Sequence, residues 1–305
     1  MRLLISMLLF AAPLSAQWPD LVRDTSLERR LDSLAASVRG GTGIYVRHLA
    51  TGRGANIRAD ELFPTASVIK LPILAVTFDQ LDRGVLRFDT VITWADSLRY
   101  GDDRSLVNQL RDSAELKLSE ATLTMITTSD NAASLLLQAL VGGGAAINEW
   151  LAANGFDSTR VNSRTPGRRP NWEQYGWGQT TPREIAEMLA RIREGRLVSP
   201  AADDAMYRHL TRIYWNERAL SQLPPWVQVA SKQGMVSRSR AEVVLVNAPS
   251  GDYVFAVMTK EQEDTSDRDS NEGVAFIRSV SRLLWEYFEP EQKWQPPAEA
   301  SKYWP

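Results

Sequence analysis

The chain contains no cysteine, which removes disulfides, thiolate nucleophiles and sulfur metal sites together. Histidine is almost as scarce: His48 and His209 are the only two, too few for a multi-histidine metal centre. No metal or other cofactor is therefore expected. Basic residues form no block, and 35 Lys and Arg against 37 Asp and Glu leave a net charge of −2. That balance excludes a nucleic-acid groove. No G-x-S-x-G elbow occurs, neither histidine has triad-like neighbours, and no internal repeat is found.

What is present is a chain of 305 residues, 44% hydrophobic, enough for one large domain or two lobes with a full core. The first residues read as an export signal. Arg2 supplies the positive start, "LLISMLLFAA" the apolar segment, and "LSA" a small-residue cleavage site ending at Ala16. A retained membrane anchor is the competing reading, but the apolar segment is too short to span a bilayer and the chain has no second candidate. With no cysteine after it, a lipid anchor is also excluded. The expectation is a bacterial periplasmic or secreted protein, monomeric and without a stable membrane anchor.

Residues 20–39 carry Leu and Val at helical spacing. "GTGIYVRHLATGRGANI" predicts two strands around a Gly-rich turn. A helix from Ser67 to about Arg83 stops at Gly84, and a mostly helical middle comes next. There "LSEATLTMITTSD" and "NAASLLLQAL" meet at a break, and "TTPREIAEMLARIREG" opens on a Thr cap with Pro in the first turn. After Trp226 come three β-rich runs, which short turns would pair antiparallel, then the amphipathic "NEGVAFIRSVSRLLWEYF". The fold class is α/β (α+β): an antiparallel sheet built from both ends of the chain, flanked by N- and C-terminal helices, with an inserted all-helical lobe. The α/β lobe would take about 20–62 and 222–290, and the helical lobe about 63–221. The tail 291–305 is polar and Pro-rich and is expected to fray, unless Trp294 and Trp304 dock on the surface.

Three short patterns each occur once: Ser67-x-x-Lys70 at the head of an apolar helix, Ser129-Asp130-Asn131 at the break between two helices, and Lys232-Gln233-Gly234 on a strand. Each has a bland reading as helix cap, inter-helix turn or solvent-facing strand. The chemical reading is that a serine hydroxyl needs a base. Lys70, one helical turn from Ser67, serves as one only when a low-dielectric site or a nearby cation keeps it neutral. A competing Tyr214-x-Asn216 lies close to Lys232 inside a helix-like segment.

In order and context these patterns resemble the penicillin-recognising serine hydrolases, specifically class A β-lactamases and the DD-peptidases of similar fold, from about Ile44 to Phe288. The resemblance implies that Ser67 is acylated, that Lys70 is the base, and that Lys232 is the cation that depresses Lys70 and attracts an anionic substrate. It further implies that Ser129 relays a proton to the leaving nitrogen, that Asn131 binds the substrate's amide side chain, and that the N–H groups of Ser67 and Met235 form an oxyanion hole. Gly234 would let an extended substrate approach the strand edge. The implied partner is a β-lactam or a cell-wall peptide ending in D-alanine.

Two departures stand out. Gln233 replaces the usual threonine of Lys-Thr-Gly, while Arg240 aligns with an arginine that helps hold the substrate carboxylate, its alternative being a surface strand residue. More seriously, "RVNSRTPGRRPNWEQYGWGQTTP" lacks the family's Glu-x-x-Leu-Asn, whose glutamate activates the deacylating water. Glu173 is the only carboxylate there, either a substitute base or a solvated loop residue. Trp172, Tyr175 and Trp177 are expected to pack this loop down. Acylation is therefore equipped and rapid hydrolysis is not. That leaves three activities: a β-lactamase-type amidohydrolase with an altered deacylation route, a D-Ala-D-Ala carboxypeptidase, and a non-catalytic sensor.

Overall fold

Alternating apolar residues along the last strands set the architecture. In Tyr253–Lys260, Tyr253, Phe255 and Val257 pack with one buried cluster and Val254, Ala256 and Met258 with another, as a period of two requires of a sheet covered on both faces. The computed structural model describes residues 19–101 and 105–305; the export signal read at 1–16 lies outside them.

The main sheet contains β1 (Val22–Arg23), β2 (Gly41–His48), β3 (Arg53–Ile57), β4 (Val229–Val236), β5 (Ser239–Val246) and β6 (Tyr253–Lys260), in the order β1-β3-β2-β6-β5-β4. All its pairings are antiparallel except β1 with β3. Strands from both ends of the chain thus share one sheet, and β4 lies at its edge. One face is covered by α1 (Thr25–Ala35), capped by Asp24 through the N–H groups of Ser26 and Leu27. The last helix, Glu272–Phe288, is capped by Asn271. Leu27, Leu31, Phe276, Ile277, Leu284 and Trp285 from the two helices close over that face.

The other face meets the helices of the middle segment. At their centre is α2 (Lys70–Asp82), whose residues from Lys70 through Phe78 are all buried. A helix apolar on every side belongs inside a protein. Against it pack α3 (Leu118–Thr127), α4 (Asn131–Leu140), α5 (Gly143–Ala153) and α8 (Pro200–Leu210), while α6 (Arg169–Tyr175) precedes α7 (Pro182–Arg193), which packs on the sheet and on α8; the last helix is α9. Thr181 caps α7 with Pro182 at its first position, as its sequence predicts.

Several elements differ from the sequence expectation. Ser67 lies on a 3₁₀ turn, Ala66–Ile69, and α2 begins only at Lys70. The loop before α7 contains the short helix α6, and Tyr214 lies beyond α8 in irregular chain rather than in a helix. The tail does not simply fray: Trp294 meets Trp226 edge-on at 6.4 Å and the Trp304 ring lies under the Arg278 guanidinium at 4.2 Å. Aromatic burial and cation–π attraction offset the ordering of this polar segment.

Candidate active site

The nucleophile candidate is presented by a strained turn. Ala66, just before Ser67, has φ +45°, a left-handed conformation that costs a non-glycine residue about 1 kcal/mol or more and persists only where the surroundings impose it. β4 is part of those surroundings. A Cβ added to Gly234 would stand 2.4 Å from the Thr65 carbonyl oxygen and 2.9 Å from the Ser67 nitrogen. Only glycine lets the strand edge lie so close to the serine turn.

The break between α3 and α4 supplies the facing wall. Ser129 has φ +61°, and Asp130 holds the turn in place. Its buried carboxylate accepts from Ser105 Oγ at 2.5 Å, from Val107 N at 3.0 Å and, as the cap of α4, from Ala133 N at 2.8 Å. The turn directs both oxygens of Ser129 toward Lys70.

Lys70 is fully buried. Its Nζ lies 3.0 Å from Ser67 Oγ, 3.1 Å from Ser129 Oγ, 2.5 Å from the Ser129 carbonyl oxygen and 2.7 Å from Asn131 Oδ1. The two shortest contacts are to oxygens that can only accept, so they use two N–H bonds. The other two are hydroxyls, which can donate. The Lys70 amine thus sits within hydrogen-bond reach of the Ser67 hydroxyl.

Lys232, on β4, is also fully buried. Its Nζ donates to Ser129 Oγ at 3.0 Å, to the Gln233 carbonyl at 3.0 Å and to Gln233 Oε1 at 3.2 Å. Burial, and next the charge of Lys70, push the Lys232 ammonium well below its ordinary value. The family resemblance assigns the depression to Lys70, with Lys232 as its cause. The depression that burial and charge produce is found on Lys232. Ser129 Oγ bridges the two amines, completing a line from Ser67 Oγ through Lys70 and Ser129 to Lys232.

These groups open into a cleft of about 270 Å³ whose lining includes Ser67, Ser129, Asn131, Gln233, Gly234 and Met235. Arg240 reaches the cleft, but its guanidinium is fully buried and already donates to the carbonyls of Val236, Ser239 and Ser266. Its Nε is buried without a partner. Burial, then the nearby Arg218, lower its affinity for its proton. The alternative reading of a surface strand arginine is therefore wrong, because the β4–β5 pairing sets Arg240 opposite Met235. Arg218 carries no signal in the sequence. Its Nη1 donates to the Gly234 carbonyl at 3.0 Å and it lines the same cleft. It lies in irregular chain just before a 3₁₀ turn, where no periodicity marks it.

Glu173 is not in this arrangement. On α6 its side chain is 59% exposed and pairs with Arg169 at 2.7 Å, one helical turn away, which turns it to solvent. Tyr214, of the competing pattern, is also exposed and outside the cleft. A second pocket lies beneath the loop, between Tyr100, Trp172 and Trp177. Trp177 packs edge-on against Tyr100 at 5.0 Å, and Lys70 Nζ lies 5.9 Å from its ring centre. Among the described residues lining the two pockets, carboxylates are present at Asp130, Glu217, Asp267 and Asp269, and none comes from the loop 162–177.

Comparison with known proteins agrees with this geometry. A family model for the β-lactamase enzyme family matches residues 26–288. A β-lactamase of Streptomyces albus G is 31% identical over 278 residues, covering 85% of this chain and 83% of its own. Among solved structures, PBP-A superposes with a TM-score of 0.80 at 26% identity, over 90% of this chain and 100% of that one. A point variant of PBP-A has been solved as an acyl-enzyme complex with penicillin-G. An ancestral class A β-lactamase gives a TM-score of 0.74 at 28% identity, over 86% of this chain and 99% of its own. The chain belongs to the β-lactamase enzyme family.

Proposed function

We propose that the protein is an exported serine hydrolase that forms an acyl-enzyme on Ser67 with β-lactams and related amides. The observation that carries this reading is the unbroken contact line Ser67 Oγ–Lys70 Nζ–Ser129 Oγ–Lys232 Nζ, with steps of 3.0, 3.1 and 3.0 Å. Lys70 takes the proton of Ser67 as Oγ bonds to the carbonyl carbon. The carbonyl oxygen, now anionic, is met by the N–H groups of Ser67 and Met235. The C–N bond then breaks, and the leaving nitrogen takes the Ser129 hydroxyl proton. Ser129 is refilled from Lys70, which returns to the neutral amine. Arg218 and the Gln233 amide line the cleft where a substrate carboxylate binds, with Lys232 buried behind Gln233, and Asn131 faces the acyl side chain. Hydrolysis of the ester then needs a water and a base, and the loop offers none at the cleft. We therefore assign slow release of the acyl group, in a protein that works as a monomer outside the cytoplasm.

A second reading, D-Ala-D-Ala carboxypeptidase, is favoured by the same loop and by the likeness to PBP-A. Intact-mass measurement after mixing with benzylpenicillin tests both. A one-to-one adduct that Ser67→Ala abolishes is expected. Turnover of the adduct within minutes favours the β-lactamase, whereas an adduct lasting hours together with release of D-alanine from a D-Ala-D-Ala peptide favours the peptidase. Labelling that survives Ser67→Ala sinks the mechanism.

A further inference from the structure

The family match ends at residue 288, which is also the last residue of α9. Residues 289–305 extend the chain past the family fold, and their end returns to the cleft. Ala300–Tyr303 form a 3₁₀ turn, the Trp304 ring stacks under Arg278 at 4.2 Å, and Pro305 lines the cleft beside Arg240 and Asp267. Arg278 is the bracket. Its Nε donates to the Glu217 carbonyl at 2.7 Å and its Nη1 to the Asp269 carbonyl at 2.9 Å, and both residues line the same cleft. One guanidinium thus joins two parts of the cleft wall to the tail.

We infer that Trp304 and Pro305 form a wall closing the leaving-group end of the cleft, which restricts the enzyme to substrates whose leaving portion is no larger than a single amino acid. The assignment of that end rests on the proposed acyl-enzyme reading. Arg218 lines the cleft on that side, as the carboxylate of a departing amino acid requires, and Pro305 lines the same cleft. A substrate extending along the edge of β4 past that carboxylate meets the tail. The tail is held by the Trp304–Arg278 cation–π contact and the Trp294–Trp226 contact rather than by the core, so it discriminates by exclusion.

The test uses two depsipeptide substrates with the same acyl portion, one releasing a single hydroxy acid and the other the same group extended by two residues. The full chain should favour the short substrate in kcat/KM by about tenfold or more, the scale on which a pocket wall rejects an oversized group. Trp304→Ala, and separately a chain ended at Pro290, should raise kcat/KM for the long substrate and bring the ratio to within about threefold, with the short substrate little changed. Equal losses on both substrates, or an unchanged ratio, would overturn this inference while leaving acylation intact. Failure of both substrates to acylate Ser67 in the full chain would remove the hydrolase reading and this one with it.

Discussion

Replacing Lys70 by Met removes a group that touches Ser67 Oγ, Ser129 Oγ and Asn131 Oδ1 together. A positioned base is worth about 10²–10⁴ in rate, or roughly 3–5 kcal/mol of barrier. Acylation should therefore fall by that factor. Stability should move less. The Ser129 carbonyl and Asn131 Oδ1 lose a buried donor, costing about 1–3 kcal/mol, while Lys232 loses the repulsion that helps hold it below its ordinary value. Lys70→Arg separates charge from basicity, since a guanidinium keeps the charge but does not give up its proton. It should acylate as poorly as Lys70→Met. The assay is the burst rate with a chromogenic β-lactam across pH, beside thermal unfolding of each variant. The wild-type rate should fall toward acid as the lysine pair takes up its second proton. An arginine variant acylating at the wild-type rate, or a methionine variant within threefold of it, would refute Lys70 as the base.

Gly234→Ala should be costly, because its Cβ would stand 2.4 Å from the Thr65 carbonyl oxygen. Roughly 1–3 kcal/mol of stability should be lost to overpacking, and acylation should slow by about tenfold or more as β4 moves off the serine turn; a variant with native Tm and rate would show that the strand edge tolerates displacement. Glu173→Gln should leave both acylation and deacylation unchanged, since its carboxylate faces solvent against Arg169; slower release of a penicillin adduct would restore it as the base. Glu242 is buried with its carboxyl raised to about 6 from 4.5, chiefly by burial. The folded state then binds this proton more tightly than the unfolded state, so stability is full below about pH 4.5 and falls by about 2 kcal/mol as pH rises through 6. Glu242→Gln should remove that decline, and a wild-type-minus-variant difference in chemical denaturation that stays constant from pH 4 to pH 7 would contradict the assignment.

Much of the frame was legible because its causes are local. The β-rich runs of β4, β5 and β6, the Thr181-Pro182 start of α7 and the apolar run of α2 are properties of neighbouring residues. The elements that escaped depend on distant packing. β1 is two residues long and exists because it pairs with β3, while α6 is a helix of 7 residues within the loop that nothing periodic announces. Arg218 lies in irregular chain and becomes part of the cleft only when β4 folds beside it. Glu173 reads as a candidate base because a carboxylate is what the loop should contain. Only its position on α6, one turn from Arg169, shows it facing outward.

The candidate site divides in the same way. By itself the sequence determined which candidates are available: it has no cysteine and two histidines, and it sets Ser67 and Lys70 close together on one turn of chain. It also determined that the loop lacks the expected carboxylate. Tertiary structure alone decided that the line of contacts closes, because Ser129 is 59 positions from Lys70 and 103 from Lys232. Folding also buried the two amines and brought both to one hydroxyl; the resulting depression of the Lys232 ammonium comes from distance and dielectric, which no order of residues contains.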